Sequence, residues 1–121
     1  MRVAVCGGCA GEVEQICSWV SQYCQVCGCP VELCPIGTVK QLRQDTRSFY
    51  AAFIGFGDSA GFLAARELRD RDRQCRIVLI DDTNRYVIRG HRIHATYFIV
   101  RPLEMWHIVH SMDLIMGRRA Y

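Results

Sequence analysis

Two groups of cysteines are the first residues in this chain whose types and spacing could do chemistry. Cys6-Gly7-Gly8-Cys9 sets two thiols three residues apart where an apolar run meets a glycine turn, the spacing of a redox dithiol at a helix start. Cys24-x-x-Cys27-x-Cys29 followed by Cys34 offers four thiolates, the donor set of a tetrahedral metal site. Each group also has a plainer explanation. Cys17, Cys24 and Cys27 recur at three- and four-residue steps with Val13, Ile16 and Val20, so they fall on the apolar stripe of one helix, where cysteine packs as a small hydrophobe. The four candidate ligands straddle a helix end, a loop and a strand rather than two knuckles. Core packing is favoured over both a metal and a redox pair, so no metal or cofactor is expected. A thiol- or metal-responsive sensor stays as the alternative function.

The elements that must position these residues follow from periodicity. Met1 to Cys6 is β-branched and apolar and ends at Gly7-Gly8, a first strand; a helix follows with Glu12 and Glu14 near its start, where carboxylates favour the helix dipole, and Gly28-Cys29-Pro30 stops it. Val31 to Pro35 is a second strand, and Thr38 and Gln41 have capping-box spacing for a helix burying Val39, Leu42 and Phe49. Ala51 to Phe56 is a third strand. Asp58 or Ser59 caps a helix with Phe62, Ala65 and Leu68 inward and a solvated charge run from Arg66 to Arg73 outward. Ile77 to Ile80 is a fourth strand, Thr83 to His91 a short helix, and Tyr97 to Val100 a fifth strand. Pro102 opens the last helix. His91 and His94 fall on a helix end and a loop and are read as structural.

Apolar strands alternating with helices mean an α/β fold with a parallel sheet covered on both faces. Ligands in such sheets sit outside the carboxyl ends of the strands, here the tips after Cys6, Ile54, Ile80 and Val100. The 121 residues suffice for one domain over 1–121 and exclude two independent cores. With 50% hydrophobic residues, disorder, coiled coil and collagen are excluded. Phe98-Ile99-Val100 and the other apolar runs are far short of the roughly 20 residues of a membrane helix, and no cleavable signal follows Met1, so a cytoplasmic protein is expected. In that compartment the eight cysteines are read as buried thiols, a metal site or a redox pair rather than as structural disulfides. A scattered net charge of +3 argues against direct nucleic-acid binding by this domain.

Met1 to Cys6, Tyr86, Gly90, His94-Ala95 and Tyr97-Phe98-Ile99-Val100-Arg101-Pro102 together resemble the receiver domain of LytTR-type bacterial response regulators, most densely over Tyr86 to Pro102. The resemblance spans the whole chain and implies a flavodoxin-like, doubly wound sheet of five strands in the order 2-1-3-4-5. It implies a signalling module rather than an enzyme. A receiver takes a phosphoryl group on an aspartate, using an acidic pair for magnesium, a nucleophilic Asp, a hydroxyl and a lysine.

This sequence departs from that pattern at every position. The acidic pair falls on Gly7 and Gly8 with Cys9 next, the nucleophile on Gly55, the hydroxyl on Asp81 and the lysine on Arg101. The expectation is a degenerate receiver, or pseudo-receiver, with an internal Asp81–Arg101 pair in place of the phosphorylation switch. Asp58, Asp81 and Asp82 are the acids left near the pocket for magnesium.

The last helix carries two stripes. Met105, Ile108, Val109, Met112 and Met116 form the face expected to dock on the sheet, and Leu103, Trp106, His110 and Leu114 form a second one on the other side. Receivers that this chain resembles dimerise through the fourth helix, fifth strand and fifth helix, and Phe98 matches their aromatic switch position. The resemblance implies a homodimer on that surface and a sensor kinase or other signalling protein as partner. The family carries a DNA-binding domain after the receiver; Met116-Gly-Arg-Arg-Ala-Tyr121 falls where its linker would begin, and that domain is absent from this chain.

Overall fold

The computed structural model describes residues 1–118. Ten elements alternate along the chain: β1 (Arg2–Cys6), α1 (Ala10–Cys27), β2 (Glu32–Ile36), α2 (Val39–Gln44), β3 (Ala51–Ile54), α3 (Asp58–Arg71), β4 (Arg76–Asp81), α4 (Val87–Arg92), β5 (Tyr97–Val100) and α5 (Met105–Ile115). The strands form one parallel sheet in the order β2-β1-β3-β4-β5, as the resemblance implies. Residues 119–121, where the expected linker would run, lie outside the described residues.

Side chains alternate across a strand, so each central strand must supply two apolar layers. Val3, Val5, Ala51, Phe53, Val78 and Ile80 face one layer, which α1 and α5 close with Ile16, Val20, Ile108, Met112 and Ile115. Ala4, Cys6, Ala52, Ile54, Ile77 and Leu79 face the other, closed by Leu42 of α2 and Ala64, Ala65 and Leu68 of α3. This double duty is why the strands read as unbroken apolar runs.

Local signals place the helix ends. The Thr38 hydroxyl accepts from the Gln41 amide at 3.1 Å and the Gln41 carboxamide oxygen accepts from the Thr38 amide at 3.2 Å, the capping box expected from their spacing. Gly28 stops α1 in the left-handed region at φ 69°, where the amides of Gly28 and Cys29 turn back to the carbonyls of Gln25 and Cys24.

Several expectations change in detail. Phe49 is buried from the loop before β3 rather than from α2. Neither Asp58 nor Ser59 caps α3: Gly57 is the cap residue, and Asp58 is the first residue of the helix. The fourth helix is one short turn, Val87–Arg92, because Thr83 to Tyr86 form a turn instead.

The last helix starts at Met105 rather than at Pro102. Its first turn finds partners there, the Glu104 amide donating to His107 Nδ1 at 3.0 Å. The docked face is His107, Ile108, Ser111, Met112 and Ile115, with Met105 exposed, so of the expected face Ile108 and Met112 are the residues that are buried.

Phe53 is fully buried at the centre of the sheet. Replacing it with alanine removes a large side chain from a layer that strands on either side hold rigid. Phe53→Ala should lower unfolding free energy by about 3–5 kcal/mol, measured by urea denaturation, whereas a loss under about 1 kcal/mol would contradict this packing.

Candidate functional site

The carboxyl ends of β1, β3, β4 and β5 surround a cleft of about 470 Å³. Its centre is Arg101, the first residue after β5. The guanidinium makes a two-pronged bond to Glu12, from Nε to Oε2 and from Nη2 to Oε1, both at 2.8 Å. Nη2 also donates to the Gly55 carbonyl at 2.8 Å, and Nη1 to Asp82 Oδ1 at 3.2 Å. The side chains of Arg101 and Glu12 are only 22% and 19% exposed, so the pair is largely out of water. The bond to Glu12, ahead of the opposing cost of burial, raises the Arg101 pKa further above its already high value.

The expected Asp81–Arg101 pair is therefore corrected: Glu12 is the partner. Asp81 is buried and spends Oδ1 on two amides, those of Asp58 at 3.1 Å and Asp82 at 2.7 Å. The first of these is the opening N–H of α3, a favourable place for a carboxylate because the helix dipole is positive there. Asp81 thereby does the capping expected of Asp58. Asp58 itself sits at φ 54°, in the left-handed region that aspartate tolerates better than most residues, with its carboxylate exposed and 3.4 Å from Arg85. The residue that joins Asp81 to Arg101 directly is the backbone, the Arg101 amide donating to the Asp81 carbonyl at 2.8 Å.

In the sequence Glu12 reads only as a carboxylate favouring the dipole of α1. A side chain in a helix leans toward the amino terminus, and one turn in from the Gly7-Gly8 turn it reaches back over the strand tips. That geometry was a usable signal.

The remaining candidates separate. Gly8, Cys9, Gly55, Asp58, Asp81 and Arg101 line the cleft. Gly7 turns the chain beneath it, its amide bonded to the Ile36 carbonyl at 3.0 Å. A β-carbon on Gly55 would lie 3.2 Å from Glu12 Oε1 and 3.3 Å from both Arg101 Nη2 and the Cys6 carbonyl. The Glu12–Arg101 pair thus fills the space that a side chain at position 55 would enter.

The cysteines do not converge. Cys6 is buried in one layer, where desolvation drives its pKa well up, while Cys9 is exposed at the lip of the cleft. Cys24 packs in the layer under α1, and Cys34 in the opposite layer beneath α2 and α3, so the sheet separates two of the four candidate ligands. Cys27 instead accepts from Arg118 Nη1 at 2.9 Å. Cys75, buried beside Asp72, has its thiol pushed up to about 12 by desolvation first and by that carboxylate second.

On the far edge, Trp106, His110 and Leu114 lie together on the surface of α5, Trp106 56% and Leu114 42% exposed, and Val100 at the end of the edge strand β5 is exposed as well. Phe98 is half-buried against the layer that holds Leu79, and Leu103 against the one that holds Ile108. Among the described residues no helix is long and apolar enough to cross a membrane.

No protein-family model and no curated protein matches the chain. Solved structures do. The response regulatory domain of mrkE from Klebsiella pneumoniae superposes with a TM-score of 0.82 at 12% identity, over 97% of this chain and 96% of that one. The fold is that of response regulator receiver domains. The non-phosphorylated HemR receiver domain of Leptospira biflexa gives a TM-score of 0.76 at 16% identity, over 99% of this chain and 98% of that one. DrrB of Thermotoga maritima gives 0.71 at 16% identity over 96% of this chain, which spans 52% of that one. A chain of NtrX from Brucella abortus is spanned over 27% of its length. At these identities the receiver likeness is one of fold.

Removing one member of a largely buried ion pair leaves the other charge without a partner. Arg101→Met should cost about 2–4 kcal/mol of stability, and the Glu12→Gln/Arg101→Met double variant should lose less than the two single losses together by about 1–2 kcal/mol. Urea denaturation of the four proteins measures this cycle; strictly additive losses would show that the two groups do not interact.

Proposed function

We propose that this chain is the receiver domain of a two-component response regulator in which the Glu12–Arg101 pair replaces aspartyl phosphorylation, so that it signals by association with other proteins. The observation that carries this reading is at Gly55. The position matching the family's phosphoacceptor has no side chain, and a carboxylate and a guanidinium occupy the space above it. The positions matching the magnesium-binding acids are Gly7 and Gly8, which bring no ligand oxygen from a side chain.

Arg101, at the position of the family's lysine, is held by Glu12, Asp82 and the Gly55 carbonyl at once. In a phosphorylated receiver such a cation would be released toward an incoming phosphoryl group. Here an internal carboxylate is already in its place, so the cation is satisfied without a signal.

Output then rests on the edge formed by α4, β5 and α5. Trp106 and Leu114 expose apolar area that a two-fold dimer would cover, each copy presenting the same patch to the other. A sensor kinase or another signalling protein is the further partner this reading allows. LytTR-type transcription regulation, through a DNA-binding domain after this one, is the pathway role that goes with it, in the cytoplasm and without catalysis by this domain.

Intact mass before and after incubation with acetyl phosphate and magnesium tests the proposal, together with the solution mass of the untreated protein and of Trp106→Glu. No added phosphoryl mass is expected, with a dimer from the outset that Trp106→Glu converts to monomer. A phosphoryl adduct, or a wild-type monomer, would contradict it.

A further inference from the structure

Away from the cleft, two concavities share Arg92 and Ile93 and run on into one groove. The first, about 380 Å³, lies between α3 and α4 and is lined by Arg66, Arg89 and Arg92. The second, about 540 Å³, continues to the amino end of β4 and adds Arg69, Arg73 and Arg76, with Asp70 as its one carboxylate. Six arginines against one aspartate leave an excess of five positive charges in the groove, where the whole chain carries +3. The rest of the molecule is therefore net negative, and the charge that looked scattered in sequence is gathered in one place by the fold.

The arginines differ in what holds them. Arg69 has a structural task, donating to the carbonyls of Asp72, Arg73, Ile93 and His94 and so tying the loop before β4 to the loop before β5. Arg76 lies 4.0 Å over the Tyr50 ring. Arg66, Arg73, Arg89 and Arg92 form no ion pair among the described residues, although other arginines of this chain do find carboxylates. Like charges gathered in a concave surface repel one another and focus the field outward, which favours an anion coming from outside.

The floor between these arginines is apolar: Leu63 is 42% exposed, and Phe62 stacks on Tyr86 at 5.5 Å. We propose that this groove docks an acidic protein segment that seats an aliphatic anchor on Leu63 and Phe62 and sets its carboxylates against Arg66, Arg89 and Arg92. Nucleic acid fits less well. The Phe62 and Tyr86 rings cover each other and Arg89 lies 5.5 Å over Tyr86, so the groove presents no free pair of ring faces on which bases could stack. The 14 residues of α3 extend about 21 Å, enough to guide a segment of some four helical turns. This groove shares no lining residue with the cleft and meets the dimer edge only at α4, whose Arg89 and Arg92 line it, and it does not depend on the reading given to either.

Fluorescence anisotropy with the full chain provides the test. The probes are a labelled acidic peptide carrying leucines at helical i, i+4 spacing, the same peptide with serines in place of the leucines, and a labelled oligonucleotide in single- and double-stranded form. Arg66→Glu/Arg89→Glu should weaken binding of the leucine peptide roughly tenfold or more, and Leu63→Ser several-fold, while Lys40→Glu on α2 stays within about twofold. Arg66→Gln/Arg89→Gln should give the same direction with a smaller loss, and separates the effect from any misfolding caused by charge reversal. The proposal is overturned if the leucine peptide does not bind saturably, if the serine peptide binds equally well, if the arginine variants bind like wild type, or if the oligonucleotide is the tighter, arginine-dependent ligand.

Discussion

A guanidinium keeps its charge at any physiological pH, and one held largely out of water where strand ends meet has to be met by carboxylates or other acceptors. Arg101 is met by Glu12 through two parallel bonds, a match of planar donor fork to planar acceptor that a lysine ammonium could not reproduce. The arrangement of the cleft follows from that contact. Glu12 is drawn across the strand tips, the space above Gly55 is filled, and Asp81 is left to turn to the amino terminus of α3. Asp82 adds an exposed carboxylate to the outer side of the same guanidinium, where solvent makes it worth little.

This contact forms only because the sheet brings four strand ends together. Arg101 and Glu12 lie 89 residues apart in the chain. They meet because β5 and β1 are parallel and both end on the same side, with α1 starting immediately beyond β1. The two apolar layers hold that frame, and the frame is what lets a cleft with no room for a side chain at position 55 persist without one. A second consequence of the topology lies on α3 and α4, where arginines distant in sequence form one cationic groove.

Much of the frame was legible in the sequence. The strands announced themselves because each must be apolar on both faces, and Thr38 with Gln41 marked a helix start through a bond that forms within four residues. What was missed depends on contacts between distant elements. Local spacing points Glu12 to its own helix dipole and says nothing about Arg101, 89 residues away. Adjacency of strands points Asp81 to Arg101, but the orphan amides at the start of α3 have the stronger claim on its carboxylate. The docked face of α5 takes in His107 and Ser111, which bury their polar atoms in bonds made within the helix and its cap, and a count of apolar residues passes over both. Cys24 and Cys34 looked close along the chain, yet a sheet stands between them.

The side-chain Nε–H signal of Arg101 in a nitrogen-15 NMR spectrum reports most directly on whether the cleft is closed by its own ion pair. A fixed bond to Glu12 Oε2 should give a sharp, solvent-protected signal that stays in place on adding acetyl phosphate and magnesium and collapses into the exchanging arginine envelope in Glu12→Gln. An Arg101 signal that exchanges freely in the wild-type protein, or that shifts when the phosphoryl donor is added, would contradict a cleft held by Glu12 and Arg101.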